Sequence, residues 1–196
     1  MANKVYNMAG GLHSAAAYAA FEDALYGTCV AGGDSFTVTA GTGMNVSVAP
    51  GNGLISTGTG FARRIAADAA NTVSLTAAST ANPRIDAIVA YIDNGVTPST
   101  SVVDNTNGIL KFKSVAGSPA STPVAPSASS IQSSVGAGNP YMILAYVAVA
   151  KNATSPSTIT DARKIAGWVR LELSTTDIGE GAPLAEGTLY GVYEES

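Results

Sequence analysis

Histidine and cysteine are almost missing from this 196-residue chain, which has one of each, His13 and Cys29. A single cysteine cannot close an intrachain disulfide, and Cys29 reads as a buried, inert thiol ahead of the alternatives, an intersubunit bridge or a reactive thiol. A zinc site usually draws on two or more His or Cys ligands, so no transition-metal centre is expected. A Ser–His–Asp triad would need the one imidazole held rigidly. His13 follows Gly10-Gly11 just before a helix start, and reads instead as a surface or interface residue. No Gly-x-Ser-x-Gly elbow occurs. The glycine-rich pieces Gly51-Asn52-Gly53 and Gly58-Thr59-Gly60 fit neither dinucleotide nor P-loop spacing, and are expected to be hairpin turns.

Charge is scarce as well. Only 12% of residues are charged, against 46% hydrophobic, and Gly, Ala, Ser and Thr fill the gap. So few charges on a chain of this size point to surfaces covered by other subunits, or else to a secreted or fibrous protein, where small polar residues are also common. The net charge is −4, which repels phosphate, so nucleic acid is not an expected partner. Paired carboxylates are no better placed. Asp86 and Asp93 would lie about 23 Å apart on one extended strand, too far for a glycosidase pair. Asp86, Asp93, Asp104 and Asp161 show no EF-hand spacing. The expectation is a protein with no catalytic residues, no cofactor and no metal.

Long apolar runs are also absent. The longest, Tyr141 to Ala150, suits a buried strand, whereas a membrane helix needs about 20 residues. The N-terminus has no apolar stretch of signal-peptide type. The expected location is the cytoplasm of synthesis until the chain joins an assembly.

What remains is mostly alternation. Tyr18, Phe21 and Leu25 recur at helical spacing behind Ser14, with Ala15 and Ala19 alongside and Glu22 and Asp23 free to face solvent. They predict one short helix over residues 14–26, closed by Gly27. From Ser35 the period becomes two. Phe36, Val38 and Ala40, then Met44, Val46 and Val48, predict half-buried strands separated by Gly41-Thr42-Gly43, with Pro50-Gly51-Asn52-Gly53 as the next turn. Short strands are expected near 54–55, 61–65 and 73–77. Residues 84–93 and 141–150 are apolar on both faces and predict central, doubly covered strands. Residues 108–115 place Leu110 and Phe112 opposite Lys111 and Lys113, as at a sheet edge. Residues 117–139, with Pro119, Pro123 and Pro126, read as a long loop. Further strands are expected at 168–174 and 189–193. The sum is a mainly β fold, an antiparallel β-sandwich or barrel preceded by one short N-terminal α-helix. Its expected divisions are an attachment arm and helix over 1–27, a β-domain over 28–175 and an extension over 176–196.

Two charged phrases lie inside apolar surroundings, Arg84-Ile85-Asp86 and Asp161-Ala162-Arg163. Partly buried charges need partners. Arg84, Asp86, Asp161 and Arg163 are therefore expected to form structural ion pairs, Arg84 or Asp86 with Asp161 or Arg163 across neighbouring strands.

The order of the phrases carries a resemblance. Ala19-Ala20-Phe21-Glu22-Asp23-Ala24-Leu25-Tyr26 comes first, then Gly43-Met44-Asn45-Val46-Ser47-Val48-Ala49-Pro50-Gly51. Arg84-Ile85-Asp86-Ala87-Ile88-Val89, Ile159-Thr160-Asp161-Ala162-Arg163 and Gly167-Trp168-Val169 follow. In this order, over about residues 5–169, they resemble the N-terminal module of tailed-bacteriophage baseplate and tail-fibre proteins. The resemblance implies a structural virion protein, made in the host bacterial cytoplasm. It implies a homo-oligomer, commonly a trimer, that contacts other virion structural proteins, not a membrane. It places attachment in residues 1–26, where Leu12, Tyr18, Phe21 and Leu25 are the candidate interface residues, and lays the 117–139 loop over a neighbour. The segment after Gly167-Trp168-Val169 is short for a receptor-binding head, so direct host recognition is not expected. Two alternatives are a capsid decoration or head-fibre protein, and a host-glycan-binding module using Tyr190 and Tyr193.

Overall fold

Alternating apolar and small polar residues build most of this molecule. The computed structural model describes residues 15–58, 60–96, 109–167, 170–174 and 188–192, the last two segments by their backbone. In chain order the elements are α1 (Ala15–Tyr26), β1 (Cys29–Val30), β2 (Val38–Ala40), β3 (Asn45–Val48), β4 (Gly51–Ser56), β5 (Ala62–Ala67) and β6 (Asn71–Ser74). They continue with β7 (Arg84–Ile92), β8 (Leu110–Val115), α2 (Ala128–Val135), β9 (Tyr141–Val149), β10 (Thr158–Asp161), β11 (Arg170–Ser174) and β12 (Thr188–Val192). The chain divides into a larger unit, Met1–Ile165, and a smaller one, Ala166–Ser196. The smaller unit holds β11 and β12, which pair in parallel, Arg170 opposite Thr188. The strand expected at 168–174 thus belongs with the smaller unit.

The fold of the larger unit is mainly β, as the alternation predicts. Among the described residues its three sheets are antiparallel, in the orders β1-β4-β5, β2-β3-β6 and β10-β9-β7-β8. None of them closes into a barrel among the described residues. They share one apolar core, as in a sandwich, into which Val30, Val46, Ile55, Ile88, Leu144 and Val147 all project. The expected central strands β7 and β9 do lie side by side inside their sheet, and β8 lies at its edge.

Both faces of β7 are apolar because both are covered. Ile88, Ala90 and Ile92 join the main core. Ala87 and Val89 join a second cluster with Val115, Ile131 and Val135. A bulge keeps β9 in step. Ile88 pairs with Ala145 but Val89 pairs with Ile143, so Leu144 is an extra residue in β9. An extra residue flips the facing of everything beyond it. That is why Leu144 and Val147, three apart, face the same core.

The second cluster exposes an error in the sequence reading. Residues 117–139 are not wholly loop, because α2 lies within them, and the chain has a second helix. Ser127 caps it, accepting from the Ser130 N–H, and the Gly136 N–H closes it on the Gln132 carbonyl at 3.0 Å. Ile131 and Val135, one turn apart, are its buried residues. Three prolines and a run of serines hid a helix whose apolar stripe is only two residues wide.

A second correction concerns Gly51-Asn52-Gly53, which is no turn but the start of β4. Gly53 is paired on both sides, with Val30 and with Ile65. A Cβ there would come within 2.7 Å of the Cys29 carbonyl oxygen. The glycine serves close approach of backbones rather than chain reversal. Gly58 and Gly60 do lie in the β4–β5 connection, both at positive φ.

Candidate assembly surface

Helix α1 is short, alanine-rich and set against β5 and β4. Its sequence makes two faces. Tyr18, Phe21 and Leu25 share one, and Ala19, Glu22, Asp23 and Tyr26 the other. An amphipathic helix normally turns its large apolar residues inward. This one does the reverse: Tyr18, Phe21 and Leu25 are 50%, 58% and 56% exposed. Glu22 and Asp23, expected to face solvent, are partly buried instead.

Arg64 on β5 meets the face of α1 that turns inward. Its Nε and Nη2 both donate to the Glu22 carboxylate, a pair whose arginine stays largely exposed to water. The pair also raises the guanidinium pKa, through the hydrogen bond first and the Glu22 charge second. An open cleft of about 450 Å³, lined by Tyr18, Ala19, Glu22, Ala62 and Arg64, runs between helix and strand. The helix ends where Gly27, at φ 57°, donates its N–H to the Asp23 carbonyl. Of the interface residues predicted from the sequence, three form this outward patch. Leu12 and His13 lie outside the described residues, as do Tyr193 and the side chain of Tyr190. Arg64, which pairs with Glu22 of the helix, had only the dipeptide Arg63-Arg64 to mark it.

The four ion-pairing residues do pair, but not across strands as expected. Each arginine takes the aspartate two residues away in its own phrase, and spends its remaining donors on a distant loop. Arg84 donates from Nε and Nη2 to the two carboxylate oxygens of Asp86 at 2.8 and 3.1 Å. It also donates to the Thr76 and Ala77 carbonyls at 2.6 and 2.8 Å. Both side chains are buried, and Asp86 accepts a further bond from the Gly117 N–H. Residues two apart on a strand share a face, so the fork closes within β7 without a partner strand.

Arg163 repeats the device at the end of β10. It binds both oxygens of Asp161 at 2.8 and 2.6 Å. Its Nη1 donates to the Gly33 and Ser35 carbonyls, both at 2.7 Å, and to Thr37 Oγ1 at 2.9 Å. These bonds fix the loop that holds Phe36, a fully buried residue at φ 58°. A positive φ at a bulky residue costs about 1–3 kcal/mol and persists only where its surroundings enforce it. The hydrogen bond from Arg163 leads the forces that hold the Asp161 carboxyl at about 2.

Asp93 binds Lys111 at 2.6 Å, and the pair lowers its pKa. Of the four aspartates that lack EF-hand spacing, Asp86, Asp93 and Asp161 each hold a cationic side chain, while Asp104 lies outside the described residues. Among the described residues no three His, Cys, Asp or Glu side chains gather as metal ligands would. Cys29 is a buried free thiol, pushed up by that burial. No helix among the described residues is long and apolar enough to cross a membrane. No protein-family model, curated protein or solved structure matches this chain.

Proposed function

We propose that this chain is a structural virion protein of a tailed bacteriophage, a baseplate or tail-fibre adaptor or a minor tail component. It assembles by protein–protein contacts as a homo-oligomer of three copies. The observation that carries the reading is the outward face of α1. A monomer gains little by leaving Phe21 and Leu25 more than half exposed while the acids of the same helix are partly buried. Covering such side chains stabilises an assembly by about 1.5–3 kcal/mol each when burial is complete. The ordered phrases supply the kind of assembly, and the low charge fits surfaces that meet other subunits.

The test is a reconstruction of the parent virion with this chain traced in the density. The expected result is the chain at the tail tip, in three copies, with α1 against a baseplate or tail protein. Density on the capsid would keep the structural role and move the partner to the shell. Absence of the chain from purified particles would sink the proposal.

A further inference from the structure

We infer that the larger unit carries a mechanical clamp where the chain enters and leaves it, built so that tension between the two ends of the protein is resisted in shear. This rests on the reading of the chain as an adaptor held through α1 on one side and through residues beyond Ile165 on the other. The entering segment is β1, directly after α1. The leaving segment is residues 161–165, directly before the smaller unit. These two segments touch. Val30 and Ile165 form a parallel bridge, and the Val30 N–H donates to the Lys164 carbonyl at 2.8 Å.

The parallel sense decides the mechanics. A pull on α1 draws Val30 backward along its strand. A pull beyond Ile165 draws that residue forward along its own. In a parallel pair these are opposite forces along one axis, so the bonds between the segments are loaded together and not peeled one at a time.

One backbone bond would be a weak clamp, and Arg163 adds the rest. It precedes the bridge in the leaving segment. Its three Nη1 acceptors, the Gly33 and Ser35 carbonyls and Thr37 Oγ1, follow the bridge after β1. These charge-assisted bonds are stronger than neutral ones, and Asp161 holds the guanidinium in place for them. On the entering side, β1 is anchored by pairing with β4 and by the buried Val30 and Cys29 side chains. Movement at either end must therefore break Arg163's bonds and the bridge in one step.

The experiment is force spectroscopy on the full chain with handles at its two ends. At a given load, Arg163→Ala should rupture at least about tenfold faster, the factor that loss of one charge-assisted hydrogen bond supplies. Ile131→Ala, which removes core packing under α2 away from this path, should lower thermal stability but leave that rupture rate unchanged. Equal acceleration by both variants would mean that general stability and not a clamp is being read. A second geometry needs no change in the clamp. Moving the C-terminal handle to Ser155→Cys makes the load bypass residues 158–165, and the rupture force should fall. A force that is unchanged by that move overturns the inference. Absence of the chain from virions would leave the force measurement standing, and a weak clamp would leave the docking of α1 standing, so the two readings fail separately.

Discussion

The Arg84 and Arg163 side chains are both buried and do the same job. Asp86, however, is buried with its arginine while Asp161 is half exposed, and that difference sets what breaking each pair costs. Asp86 is buried, so Arg84→Ala would leave a carboxylate in the core without its counter-charge. Breaking a buried pair from one side costs about 3–5 kcal/mol, and denaturant unfolding should show a loss of that size. Arg84→Met combined with Asp86→Leu should recover only part of it, since an apolar pair leaves no charge behind but strands the buried Gly117 N–H. Asp161 is different, because its side chain is 53% exposed. Its carboxyl is held at about 2 against an ordinary 3.8. A depressed carboxyl stabilises the fold above its unfolded value and loses that contribution as pH falls through the folded one. The native protein should therefore lose its advantage over Asp161→Asn between about pH 4 and pH 2. Solvent screening limits the advantage to about 1 kcal/mol or less. Thermal melts of the two proteins from pH 6 to pH 2 would show the gap closing. A gap that is constant with pH would mean that the carboxylate charge contributes nothing.

At the scale of elements, what could be read from the sequence depended on how much pattern each element carries. β3 lies in a stretch of plain alternation, β7 and β9 are nine-residue runs apolar on both faces, and β8 betrays its edge position by its lysines. α2 has eight residues and two buried ones, too few for periodicity to outweigh three nearby prolines. Its signals were Ser127 as cap and the four-residue step from Ile131 to Val135. The reading of Gly51-Asn52-Gly53 failed for another reason. Glycine marks both a turn and a close approach between strands, and composition does not separate the two. If α2 is the lid of the second cluster, Ile131→Ala should cost about 2–5 kcal/mol and Ser127→Ala about 1 kcal/mol, both measured by denaturant unfolding. A cost near zero for Ile131→Ala would show that α2 merely rests on the sheet.

At the scale of the molecule, the candidate surface was only half legible. The i, i+3, i+7 spacing correctly grouped Tyr18, Phe21 and Leu25 on one face. Spacing says which residues share a face, not whether the chain's own sheet or another protein covers it. Here the acidic face is the one that meets the sheet, with Glu22 paired to Arg64 forty-two positions later in the chain. Phe21→Glu with Leu25→Glu should leave the melting temperature almost unchanged, because neither side chain packs in the core. The same protein should lose self-association in sedimentation experiments and should no longer enter particles. A variant that still assembles would move the interface off α1. A variant that melts much lower would show that the outward face contributes to the monomer after all.

Cys29 gives the molecule a built-in clock. It is the chain's sole thiol, it is buried, and it sits in β1 opposite Leu54. A thiol reagent can reach it only when the seam around β1 parts. Its labelling rate under native conditions therefore counts the spontaneous openings of the molecule's entry point, one residue away from the bridge to Ile165. A chain poised to stay shut should label no faster than it unfolds globally, and one whose first strand breathes should label far sooner.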